Sequence, residues 1–405
     1  MVMMKSRSMP FLLTLLIQPA FAVAGGADLT SVFEAAVARS ERLGQAQTAQ
    51  EKAAAIRAEA LGEWLPQLSL RARESFADRG NSSLQSPALS LNARQELLRG
   101  LDQPAALRAG DALEAQALAQ AAKARQDLAR EVGGAYLNVL ALEEQLAIER
   151  EALANAEAAV AELRKRVDLG RNRRAELSSS EAQAARVAAV LAVLEARLLE
   201  ARLSLASLSG LPVDQPLAPP QEAPLPTGAE APTVQAAREA LRVAQARRLG
   251  VAGGFWPTLF AEGNYHLARQ DGGDGPAWDA QVGLDLDVFQ FGAQRARLRQ
   301  SDADLRSAQL ELALAEREAQ RERDQAEAGL RLARARVEAS SRALEAADKG
   351  YADQQRDFRN SLVSSLDLLN AFSTLENARL EASNARWDAQ RAALRLRLAL
   401  GATAP

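Results

Sequence analysis

The sequence predicts a mainly α-helical subunit of long coiled-coil helices with four β-strands, built as a tandem duplication. Three observations carry this. Within a helix-rich stretch over 101–167, an apolar seam of period 3.5 runs from Leu128 to Val167. Two shorter stretches alternate with period two, as half-buried strands do. Landmarks of the first half return in the second at one offset of 191 residues. Pro66 corresponds to Pro257, Leu68 to Leu259, Gly170 to Ser361, Glu176-Leu177 to Asp367-Leu368, and Gly210 to Gly401.

Composition agrees with elongation. Aromatics make up 4% of 405 residues, while Ala, Leu, Arg and Glu dominate, a profile of long helices rather than one large core. The net charge is −3 with both signs interspersed, so no basic footprint for nucleic acid is present. The chain has no cysteine, and its four methionines (Met1, Met3, Met4, Met9) lie at the very start. Disulfides and a cysteine-linked lipid are therefore excluded. With His266 the single histidine, a zinc or soft-metal site is not expected, nor is any cofactor.

Residues 1–24 read as a secretory signal peptide. Lys5 and Arg7 precede the apolar run 10–17, and Ala20, Ala22 and Ala24 follow, with cleavage after Ala22 or Ala24. That run is too short to span a bilayer, and no other stretch holds 18 uninterrupted apolar residues, so a helical membrane protein is not expected.

The first repeat is read as 25–210. It opens with one helix, Leu29 to Gly62, ending before Trp64-Leu65-Pro66. A β-hairpin over about 66–98 follows: Leu68, Leu70 and Ala72 alternate with polar residues, and so do Leu89, Leu91 and Ala93. The long helix then runs from Leu101 to Val167. Its seam includes Leu128, Val132, Val139, Leu142, Leu146, Leu153, Val160 and Leu163, and only Glu149 breaks it. At 1.5 Å per residue it would reach roughly 100 Å. A break near Asp168–Asn172 leads to a returning helix, Ala175 to Ser209, stopped by Gly210 and Pro212.

Seven prolines between Leu211 and Pro232 mark a semi-rigid linker, 211–232. The second repeat, 233–401, repeats the order. A leading helix spans Thr233–Gly253 and a hairpin about 257–289, where alternation is expected from Leu259 to Leu267 and from Ala280 to Val288. A long helix covers 292–358 and a returning helix 366–400; a tail, 402–405, ends the chain. Each returning helix, stacked on the leading helix of the other half, matches one long helix in length. Four helical columns with strands at one end result.

Four alternating strands pose a problem if their apolar face meets lipid. Every backbone group must be paired there, and four strands leave two open edges. Single-chain outer-membrane barrels begin at eight strands, so copies would have to associate: two give eight strands, three give twelve. A soluble four-stranded sheet with one wet face is the other reading.

Two halves of hairpin, long helix, turn and returning helix resemble the TolC family of outer-membrane efflux proteins. The residues carrying the resemblance are Trp64-Leu-Pro-Gln-Leu68 and Phe255-Trp-Pro-Thr-Leu259 leading into the strands, and Val167-Asp-Leu-Gly170 and Asp357–Asn370 at the helix turns. The resemblance implies a homotrimer, a twelve-stranded barrel embedded in outer-membrane lipid, and a twelve-helix tunnel in the periplasm. It implies docking to a periplasmic adaptor (membrane fusion) protein and an inner-membrane RND, ABC or MFS transporter. The chain would then be a passive, non-enzymatic exit duct for efflux or type I secretion. The competing class is a secreted or periplasmic coiled-coil adaptor or scaffold outside any membrane.

The resemblance also implies site residues. Asp367 occupies the position of a gate acid, and Asn370 stands one turn on, where the family often has a second acid. Glu176 lies at the corresponding place of the first turn. Phe358 replaces a possible gate tyrosine, and Val363 a possible arginine. The first turn instead carries Arg171, Arg173 and Arg174, which could pair with Asp367 or Glu176 of a neighbour. Adaptor docking would fall on Leu169, Gly170 and Arg171, and on Ser361, Leu362 and Val363. A simpler role for Asp367 is to cap its own helix.

Overall fold

A computed structural model describes residues 26–405, except 79–82, 171, 221–223, 227, 229, 269–276 and 361. The proposed signal peptide, the loop Asp271–Gly275, Arg171 and Ser361 lie outside the described residues.

The two long helices are α3 (Asp102–Asp168) and α6 (Ala293–Arg359), of 67 residues each. The returning helices are α4 (Arg174–Ser209) and α7 (Ser365–Ala399), and α5 (Pro232–Gly253) is the second leading helix. Pro232 begins α5, where its missing N–H costs nothing. The first leading segment is not one helix. It divides into α1 (Leu29–Arg39) and α2 (Glu41–Gly62), because the Ser40 backbone is extended and its hydroxyl accepts the Leu43 N–H as a new N-cap.

The strands are β1 (Gln67–Asp78), β2 (Ser83–Arg99), β3 (Thr258–Ala268) and β4 (Trp278–Asp285). They form a single antiparallel sheet in the order β1-β2-β3-β4. Strand β4 stops at Asp285, short of the expected Val288. Its last pair with β3 is Asp285 with Thr258.

Helix α3 is the spine. Near the sheet it packs on α2 and α5, and towards the far end on α4 and α7; α6 packs on α5 and α7. Ion pairs mark both levels: Arg57–Asp111 (2.6 Å) and Arg248–Asp302 (2.5 Å) near the sheet, Arg379–Glu151 (2.9 Å) and Arg164–Glu181 (2.8 Å) towards the turns. The main core sits midway, where Val132, Tyr136 and Val139 of α3 meet Phe33 of α1, Leu205 of α4 and Leu398 of α7. The Tyr136 hydroxyl lies 2.9 Å from the Ala27 carbonyl and also meets that of Ala218, tying the start of the chain to the linker. No helix among the described residues is long and apolar enough to cross a membrane.

Candidate functional site

The strand register sorts side chains onto two faces. One face is apolar in nearly every rung, Gln95 opposite Ala261 being polar. Leu70, Leu91, Tyr265 and Trp278 align across all four strands, and Leu259 pairs with Leu284 and Ala261 with Val282. These groups face outward; Leu68 and Val282 are each 71% exposed.

The opposite face is a continuous polar network. Asn92 donates to Glu262 (2.6 Å) and to Asn264 (2.8 Å). Asn264 donates to Asp279 (2.9 Å), whose other oxygen lies 2.8 Å from His266 Nε2. Arg94 (3.5 Å) and Arg71 (3.9 Å) converge on Glu262, and Arg94 also stacks on the Phe260 ring. His266 is thus a partnered strand residue. Among the described residues no cluster could hold a metal ion.

The other candidate region is the pair of helix turns at the far end. Gly170 adopts a positive φ of 70°, which ends α3 sharply. Glu176, in the first turn of α4, accepts from Ser365 of α7 (2.6 Å) and from Asn172 (2.8 Å). It therefore joins the two turns of one subunit. Those bonds, with Arg173 nearby, hold its carboxyl below the usual range.

Asp367 is engaged differently. It closes a capping box: Asp367 N–H donates to Ser364 Oγ (3.3 Å), while Ser364 N–H (3.1 Å) and Oγ (2.7 Å) donate to its carboxylate. Its carboxyl is lowered by those Ser364 bonds. Asp367 and Asn370 are both exposed and do not meet Glu176 within the subunit. Of the docking residues, Leu169 and Leu362 are 68% and 72% exposed, Gly170 is exposed and Val363 is half-buried.

Behind the turns lies a groove of about 760 Å³ lined by all four helices, including Leu163, Arg166, Tyr351, Phe358 and Phe372. The Arg166 guanidinium sits 4.7 Å from the centre of the Phe358 ring. The ring at 358 thus engages a cation without needing a hydroxyl. Sequence reasoning missed one group here: buried Glu376 of α7, set near Glu149 of α3. The available signal was Glu149 itself, the sole break in an otherwise apolar seam.

Comparison with known proteins gives this geometry a setting. Several solved structures share the fold. The outer membrane protein VceC from Vibrio cholerae aligns at 21% identity over 92% of this chain and 96% of its own, with a TM-score of 0.82. The MtrE outer membrane channel of Neisseria gonorrhoeae aligns at 22% over 93% and 89%, with a TM-score of 0.80. The Campylobacter jejuni CmeC outer membrane channel aligns at 17% over 92% and 85%, also at 0.80. No curated protein matches the sequence. Residues 32–211 and 227–402, one segment from each half, match the family model of the outer membrane efflux protein. The chain belongs to that outer membrane efflux protein family.

Proposed function

We propose that this chain is the outer-membrane exit duct of a tripartite efflux pump or type I secretion system. Three copies would join β1 to β4 in a twelve-stranded barrel, with their helices forming a periplasmic tunnel. The observation that carries this reading is the two-faced sheet. Its apolar face has nothing to cover it and its edges at β1 and β4 are open, while its polar face carries a hydrogen-bond network. Lipid on one side and water on the other satisfy both faces, and only closure satisfies the edges. A soluble coiled-coil scaffold would leave the apolar rungs in water.

In this reading residues 1–24 are removed on export, the segments 25–210 and 233–401 are the two repeats, 211–232 is their linker, and 402–405 is a tail. The helix turns close the periplasmic end. Asp367 and Asn370 face the axis, and Glu176 braces the two turns of each subunit. Leu169, Gly170, Arg171, Ser361, Leu362 and Val363 meet the adaptor, which couples the duct to an RND, ABC or MFS transporter. Conduction is passive, with no catalytic step. Fractionation and planar-bilayer recording test this. An outer-membrane oligomer forming ion-conducting channels supports it; a periplasmic protein without conductance refutes it.

A further inference from the structure

About 17 Å along α7 from the turn, the structure buries a carboxylate that nothing satisfies. Glu376 is 8% exposed, and neither of its oxygens has a hydrogen-bond partner. The nearest cation, Arg379 on the same helix, is 4.0 Å away and binds Glu151 of α3 instead, at 2.9 Å. From α3, Glu149 and Glu151 face Glu376, and Glu149 is itself buried. From α6, Tyr351 lies close and packs its ring on Phe372 of α7. The neighbouring cluster is apolar: Ala152 and Ala156 of α3, and Val187 and Ala184 of α4. An ionised carboxylate costs far more in such a place than a protonated one.

We propose that Glu376, with Glu149 across the α3–α7 seam, is a proton-operated latch. The seam behind the turns stays packed while Glu376 carries a proton, and loosens when the proton leaves. Burial, reinforced by Glu149 and Glu151 against the opposing pull of Arg379, pushes the Glu376 carboxyl up to about 7. Burial also raises Glu149. The folded value lies above the ordinary 4.5, so the packed seam binds the extra proton. Its advantage is complete below about pH 4.5 and is lost as pH rises through about 7. Asp367 and Glu176 are both lowered, so they stay charged across this window and add no pH response of their own.

The consequence for conduction rests on the duct reading, since a loosened α7 would release the turn that narrows the tunnel. The latch itself does not. Amide hydrogen exchange of residues 370–383 in the purified full-length protein, corrected for the intrinsic rate, measures it. Wild type should exchange about tenfold faster or more at pH 8 than at pH 5.5. Glu376→Gln, neutral and of the same shape, should show a flat profile, and Glu149→Gln should move the midpoint to lower pH. A flat wild-type profile, or an unchanged response in Glu376→Gln, overturns the latch. If exchange responds as expected but no channel forms at any pH, the duct reading fails and the latch stands.

Discussion

Asp367 has two tasks open to it at the start of α7. It caps the helix, and in an assembled tunnel it would put a negative charge at the narrow end. The tasks separate by mutation. Ser364→Ala removes the capping hydroxyl and keeps the charge; Asp367→Ala removes the charge and the bonds it accepts from Ser364 but leaves the backbone N–H of residue 367 on the Ser364 hydroxyl. If the charge gates, Asp367→Ala raises conductance and weakens cation preference in planar bilayers, while Ser364→Ala changes neither. Unchanged conductance and cation preference in Asp367→Ala would mean that Asp367 serves the capping box alone. Its lowered carboxyl adds stability above the ordinary value of 3.8, and that contribution is lost only as pH falls below it. Tyr136 makes a second residue-scale case. It is fully buried and bonds carbonyls of both the N-terminal segment and the linker. Tyr136→Phe should cost about 1 kcal/mol, read as a lower thermal midpoint; an unchanged midpoint would show that the tie is idle. Little of this was legible in the sequence. An Asp three residues after a Ser signals a cap, but a salt-free brace such as Glu176–Ser365 joins positions 189 apart.

Among the elements, the long helices are the most legible. A 3.5-residue period broken only at Glu149 marks α3, the 191-residue offset carries the reading over to α6, and both match their observed ends to within a residue. The leading segment is harder, because Ser40 sits among helix formers and only its use as a cap splits α1 from α2. The end of β4 is harder still, because the apolar–polar alternation runs on to Val288 while the pairing with β3 stops at Asp285. Where helices meet the sheet, packing permits no side chain. A Cβ on Gly253 would come within 2.6 Å of the Leu101 backbone nitrogen, where α5 crosses the start of α3. Gly253→Ala should therefore cost about 1–3 kcal/mol, as overpacking does. In the core, Leu398 is 1% exposed. Leu398→Ala should cost about 2–5 kcal/mol, and a loss below 1 kcal/mol in thermal or denaturant unfolding would mean that α7 docks loosely on α3.

At the scale of the whole molecule, everything turns on the two margins of the sheet. Family and fold follow from the chain as described; closure of the barrel follows only if β1 of one copy pairs with β4 of the next. Within a subunit these strands are the outer two of four, so their backbones lie about 14 Å apart, beyond the reach of a disulfide. The chain has no cysteine, which makes the test clean. A set of variants with one cysteine on β1 (Ser69 or Arg71) and one on β4 (Asp279, Gln281 or Gly283) samples the possible registers. Oxidised in intact outer membranes, at least one pair should give covalent dimers and trimers, with a ladder that ends at three copies. Monomers alone in every pairing, or a ladder that runs past three, would contradict the closed twelve-stranded barrel.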